Sequence, residues 1–151
     1  MNGFFCALHR AARERSNAAV VDWWSERRCA AEWGELVRPD AYGNWEEDGQ
    51  RVEFFVEQDT GSEPLARVAS KLAGYRDLAE ADGVARQVLF WLAQPGREPG
   101  LRRALFDAAL PVAAAVAGTG NPADAIWLPV EKEAPRRRLA QLAMAAAGFP
   151  R

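Results

Sequence analysis

Hydrophobic and polar residues alternate along this chain with two different periods. In residues 2–15, NGFFCALHRAARER, Phe4, Phe5, Leu8, Ala11 and Ala12 recur at helical spacing, and Asn2 is a candidate cap. Residues 19–25, AVVDWWS, are β-branched and aromatic and predict a strand. RRCAAEWGEL reads as a mixed connection. Residues 36–42, LVRPDAY, predict a short strand interrupted by Pro39, and GNWEEDGQ a turn, with Asp48-Gly49 as the hairpin signal. The clearest strand is RVEFFVEQ, residues 51–58. Asp59-Thr60-Gly61-Ser62 breaks it. A helix then runs to about Ala81, with Leu65, Val68, Leu72, Tyr75 and Leu78 along one stripe and Asp82-Gly83 as its stop.

Residues 86–92, RQVLFWL, predict a buried strand, and GREPGLRRALFDAAL a helix after Pro99. PVAAAVAG is a strand or a continuation of that helix. IWLPV at 126–130 predicts a short strand, and RRRLAQLAMAAAG a C-terminal helix ending at Gly148. The order is helix, three strands, helix, strand, helix, strands. An antiparallel meander followed by a helical crossover gives an α/β fold, a mixed central sheet flanked by helices. The length, 151 residues, suits one domain over 1–151 with a single core.

Charge changes this picture only by its distribution. Residues 1–96 carry 11 basic and 16 acidic side chains, and residues 97–151 carry 8 and 5, within a formal net charge of −2. Arg102, Arg103 and Arg136–Arg138 are therefore a candidate basic face, with a solvated surface as the plainer alternative. Only Lys71 and Lys132 among the 19 basic residues are lysine. One histidine, His9, and two unclustered cysteines, Cys6 and Cys29, exclude a Cys/His zinc site. No apolar run is long enough to cross a membrane, and the N-terminus lacks a signal-peptide pattern, so a cytoplasmic location is expected.

The acids carry the candidate chemistry. Glu57 and Asp59 are two apart and project to one side of an extended strand. Asp40 lies on the neighbouring strand, expected some residues along the hairpin from Glu57 and brought near only by a bulge or twist at Pro39. Converging carboxylates make an oxygen-rich pocket of the kind that holds Mg²⁺ or Mn²⁺. Lys71 shares a helix face with Glu63, Arg67 and Tyr75 and could meet a phosphate. The structural alternative is a polar strand end, an Asx turn at Asp40, and a lysine on a solvated helix face.

The arrangement resembles the PD-(D/E)xK nuclease fold, a restriction-endonuclease-like αβββαβ core. Pro39-Asp40 matches its opening and Glu57 its second acid, while Asp59 stands where the pattern has lysine. The resemblance makes Lys71 the displaced lysine and Glu26, in WWSER, the additional acid. NGFFCAL, VVDWWSERRC, LVRPDAYGNW, FFVEQDTGSEPLARVASKLAGYRDL and IWLPV together resemble the replication-relaxation family of actinobacterial plasmids and mobile elements. The likeness runs from about residue 2 to 130 and is strongest over 51–78. Members usually carry a winged-helix DNA-binding segment first, whereas MNGFF starts at the nuclease-like half.

Three functions follow as expectations. The first is a Mg²⁺- or Mn²⁺-dependent endonuclease or nickase of plasmid replication or relaxation. In it Asp40, Glu57, Asp59 and Glu26 hold the metal and Lys71 meets the phosphate. The second is a nuclease-like fold that binds DNA or a replication or mobilisation protein without chemistry. The third is a protein–protein partner or homodimer, with Trp33, Trp45 and the Ala-rich C-terminal helix as its interface.

Overall fold

The computed structural model describes residues 1–84, 86–130 and 135–143. Helix α1 (Asn2–Glu14) leads into β1 (Ala18–Ser25), helix α2 (Glu26–Trp33), β2 (Ala41–Glu47) and β3 (Gln50–Asp59). Helices α3 (Leu65–Ser70) and α4 (Leu72–Asp82) connect to β4 (Gln87–Leu92). A 3-10 turn (Pro95–Arg97) and α5 (Glu98–Ala104) precede β5 (Val112–Val116) and β6 (Leu128–Pro129). The six strands form one open mixed sheet in sequence order. β1, β2 and β3 run antiparallel, β3, β4 and β5 run parallel, and β6 returns antiparallel.

The alternation of β3 sorts the core into two layers. Phe54 and Val56 face α1 and the C-terminal 3-10 turn (Leu139–Gln141), packing with Phe4, Phe5, Leu8, Trp45 and Trp127. Phe55 faces the other way, onto α2, α3, α4 and α5, with Cys29, Val68, Leu72, Tyr75 and Leu101. An aromatic row, Trp24, Trp33, Tyr42, Phe55 and Tyr75, runs across the sheet on that second face. β1 is an edge strand, and its register slips between Val20 and Asp22 at a bulge.

Several expected elements move. RRCAAEWGEL contains a helix, capped by the Ser25 hydroxyl, which accepts from the Arg28 amide. The strand expected over 36–42 starts only at Ala41 and runs on through most of the expected turn. Pro39 cannot donate to a ladder, so pairing begins after it. The hairpin turn shrinks to Asp48 and Gly49, both in the left-handed region (φ 52° and 79°), the geometry that matches strand twist. The helix expected to run unbroken to Ala81 is interrupted at Lys71, and Gly83, at φ 72°, stops it. PVAAAVAG is a strand.

The expected C-terminal helix starts late: Arg137 makes a bridge to Trp127, a 3-10 turn follows, and α-helix begins only at Leu142. Residues 144–148 of that expectation lie outside the described residues. Cys6 is exposed and Cys29 buried. Trp45 is fully buried and Trp33 packs under Trp24 and Tyr42, so Trp45 offers nothing to a partner surface.

Gly43 lets Phe54 and Phe5 pack closely over β2 on the α1 face of the sheet. A Cβ there would lie 2.5 Å from the Phe54 ring and 2.9 Å from Phe5. Gly43→Ala is expected to destabilise the fold by about 1–3 kcal/mol through overpacking, read as a lower urea midpoint at unchanged slope.

Candidate functional site

The C-terminal end of β3 brings together most of the acids singled out from the sequence. Glu57 and Asp59 share the parity of Phe55 and face α3 and α4, and both are buried. Asp40 is closer than expected. The pair Ala41–Val56 sets the β2–β3 register, so Asp40 stands one step beyond it, opposite Glu57. Its Oδ2 accepts the Gln58 amide at 2.7 Å. No bulge is needed, because the two-residue turn leaves the hairpin in continuous register. Glu26 does not join them. It is exposed on the first turn of α2, where an acid favours the helix dipole.

Each acid of the cluster has a protein partner. The Tyr75 hydroxyl donates a short hydrogen bond to Glu57 Oε1, and the Lys71 ammonium lies 4.0 Å from Oε2. Lys71 also pairs with Glu63 at 3.0 Å. Asp59 Oδ1 accepts the Gly61 amide at 2.7 Å, and Oδ2 accepts Arg97 Nε at 2.9 Å. Arg97 donates in addition to the Glu63 carbonyl. The one-residue helix break places Lys71 at the mouth of the site and Tyr75 deep within it. Glu57, Asp59, Glu63 and Lys71 line a cavity of about 30 Å³, room for a water or two.

Burial pushes the Glu57 carboxyl up to about 7, against the opposing pull of the Tyr75 hydrogen bond. The charge of Asp40 adds to the rise, and Lys71 resists it. Burial raises the Tyr75 hydroxyl well above its usual range, and the Glu57 charge raises it further. Burial lowers the Lys71 ammonium, but Glu63 and Glu57 outweigh it and the net direction is upward. A protonatable carboxyl poised near neutrality in a cavity is a functional-site signature.

Oxygen donors alone would suit Mg²⁺ or Mn²⁺. Among the described residues no three His, Cys, Asp or Glu side chains stand together as a group able to hold a metal ion. The sequence reading missed Arg97, which lies 38 residues beyond Asp59. The usable signal was topological. Parallel β3 and β4 end side by side, so a cation in the loop after β4 is well placed to reach the end of β3. The expected basic face is largely consumed by structure. Arg136 clasps Glu98 and the Ile126 carbonyl, Arg102 donates to the Pro129 carbonyl, and Arg138 lies 3.7 Å from Glu47.

A family model described as replication-relaxation matches residues 1–88, which include Asp40, Glu57, Asp59, Lys71 and Tyr75. No curated protein and no solved structure matches the chain. Among the described residues no helix is long and apolar enough to cross a membrane.

Glu57 holds its proton more tightly in the folded than in the unfolded chain. Its stabilising contribution is complete below the unfolded value of 4.5 and is lost as pH rises through about 7. Glu57→Gln has no such proton to lose. Its stability relative to the parent is expected to rise by about 2–3 kcal/mol between about pH 5 and pH 8, measured by urea denaturation at each pH.

Proposed function

We propose that this chain, which belongs to the replication-relaxation family, serves plasmid or mobile-element replication as a DNA-associated binding and assembly domain without phosphodiester chemistry. One observation carries the absence of chemistry: Asp40, Glu57 and Asp59 are each engaged by a group of the protein itself. Carboxylates committed in this way steady a loop and a strand end. The association with DNA rests on the family. The accompanying fold reading is a restriction-endonuclease-like core. What supports it is the order α1, β1 to β3, α3 and α4, then parallel β4, with α2 inserted after β1.

A second reading is the metal-dependent nuclease, with Mg²⁺ or Mn²⁺ held by Asp40, Glu57 and Asp59 and a phosphate met by Lys71. It is favoured by the cavity that Glu57, Asp59 and Lys71 share. Glu26, far more exposed, is the weakest member of that set.

Supercoiled plasmid incubated at low salt with Mn²⁺ or Mg²⁺ separates the two. The binding reading expects no nicking by the wild type or by Asp59→Ala. It also expects retention of labelled DNA that persists in chelator and weakens steeply with salt. Metal-dependent nicking that Asp59→Ala abolishes would replace it with the nuclease. Absence of any DNA retention would leave assembly with a replication or mobilisation protein, or with a second copy of the chain, as the role to pursue.

A further inference from the structure

We propose that Arg97 is the resident cation of the β3 acid cluster, holding the position at Asp59 that a divalent metal would need. The proposal rests on the binding reading above and explains why the acids do not converge on a metal. Both oxygens of Asp59 are used, Oδ1 by the Gly61 amide and Oδ2 by Arg97 Nε. The pair is enclosed, the Asp59 side chain being 5% exposed and that of Arg97 15%. Arg97 is not a mobile surface arginine. It closes the 3-10 turn directly after β4, its amide bonds the Gln94 carbonyl, and its guanidinium also holds the Glu63 carbonyl.

A planar fork satisfied on two sides is the arginine geometry least easily replaced. Mg²⁺ and Mn²⁺ sit about 2 Å from a carboxylate oxygen. An ion bound to Oδ2 would therefore stand against the guanidinium, two cations in a site with little water to screen them. Metal and Arg97 are alternatives at this carboxylate. Lys71, 4.0 Å from Glu57 and more exposed, leaves the other acid less firmly closed. Arg97 thus sets the chemical class of ligand that the cluster admits: neutral or hydrogen-bonding groups and phosphate oxygens at Lys71, and no hard divalent cation at Asp59.

The test follows the Asp59, Thr60 and Gly61 amides of ¹⁵N-labelled full-length protein during Mn²⁺ titration, since Mn²⁺ broadens nearby resonances. Wild type and Arg97→Lys should show no broadening confined to these amides. Arg97→Gln should show it, and Arg97→Gln with Asp59→Asn should lose it again. Selective broadening in the wild type would overturn the proposal, without need of any variant. So would a folded Arg97→Gln protein that stays sharp. Should that variant not fold, Arg97→Met keeps the stem's packing and is read in the same way. Plasmid nicking by a wild type whose Gly61 amide stays sharp would refute the binding reading while leaving the Arg97 assignment standing.

Discussion

A carboxylate carried inward on a central strand must be met by a partner from elsewhere in the chain, and much of the architecture around β3 answers that demand. β3 has hydrogen-bonded neighbours on both edges and packed side chains on both faces. Glu57 and Asp59 sit on its final turns of the pleat, beyond the last aromatic layer. The break at Lys71 lets one helical segment approach Glu57 with a cation while the next delivers the Tyr75 hydroxyl. The 3-10 turn after β4 supplies the remaining cation to Asp59. Two connections of the chain, β3 to β4 and β4 to β5, are thereby fixed relative to one strand end.

The same rule governs the arginines elsewhere. Glu47 is buried on β2, and Arg15 Nη1 donates to both of its oxygens while Nη2 binds Asp124; the Trp45 indole donates to the same carboxylate. Glu98, at the start of α5, is clasped by Arg136, which also takes the Ile126 carbonyl. The first network ties the end of α1 to β2, and the second ties Arg136 to the start of α5. Arginine suits this work because its fork can serve two acceptors at once. The basic surplus of the second half of the chain is accordingly a poor guide to nucleic acid: much of it is spent on buried acids and carbonyls.

What was legible in the sequence divides along physical lines. β3 and β4 were readable because strands buried on both faces leave apolar runs, whereas the Ala-rich β5 read equally well as helix; the Asp48-Gly49 turn was readable because it demands left-handed backbone. Gly83 marked a helix end for the same reason. α2 was not legible: ERRCAAEW is eight residues with one buried side chain, Cys29, too few to print a stripe. The start of β2 was misplaced because apolar residues on both sides of Pro39 looked alike, and only pairing decides between them. At the site, the shared face of Glu57 and Asp59 followed from alternation alone. The position of Asp40 depended on a register that a wrong turn length conceals, and Arg97 on which of many arginines the fold delivers.

The bulge in β1 has a consequence of its own. β1 is the long free edge of an open sheet, and Val21 and Trp23 on it are exposed. Such an edge is a template for an incoming strand from another molecule. The slip between Val20 and Asp22 interrupts the ladder midway, so that no second strand can follow it in continuous register. Asp22 places a charge at the same point. The irregularity that looks like a flaw in strand pairing is therefore a guard against ribbon-like self-association, confined to the one edge long enough to need it.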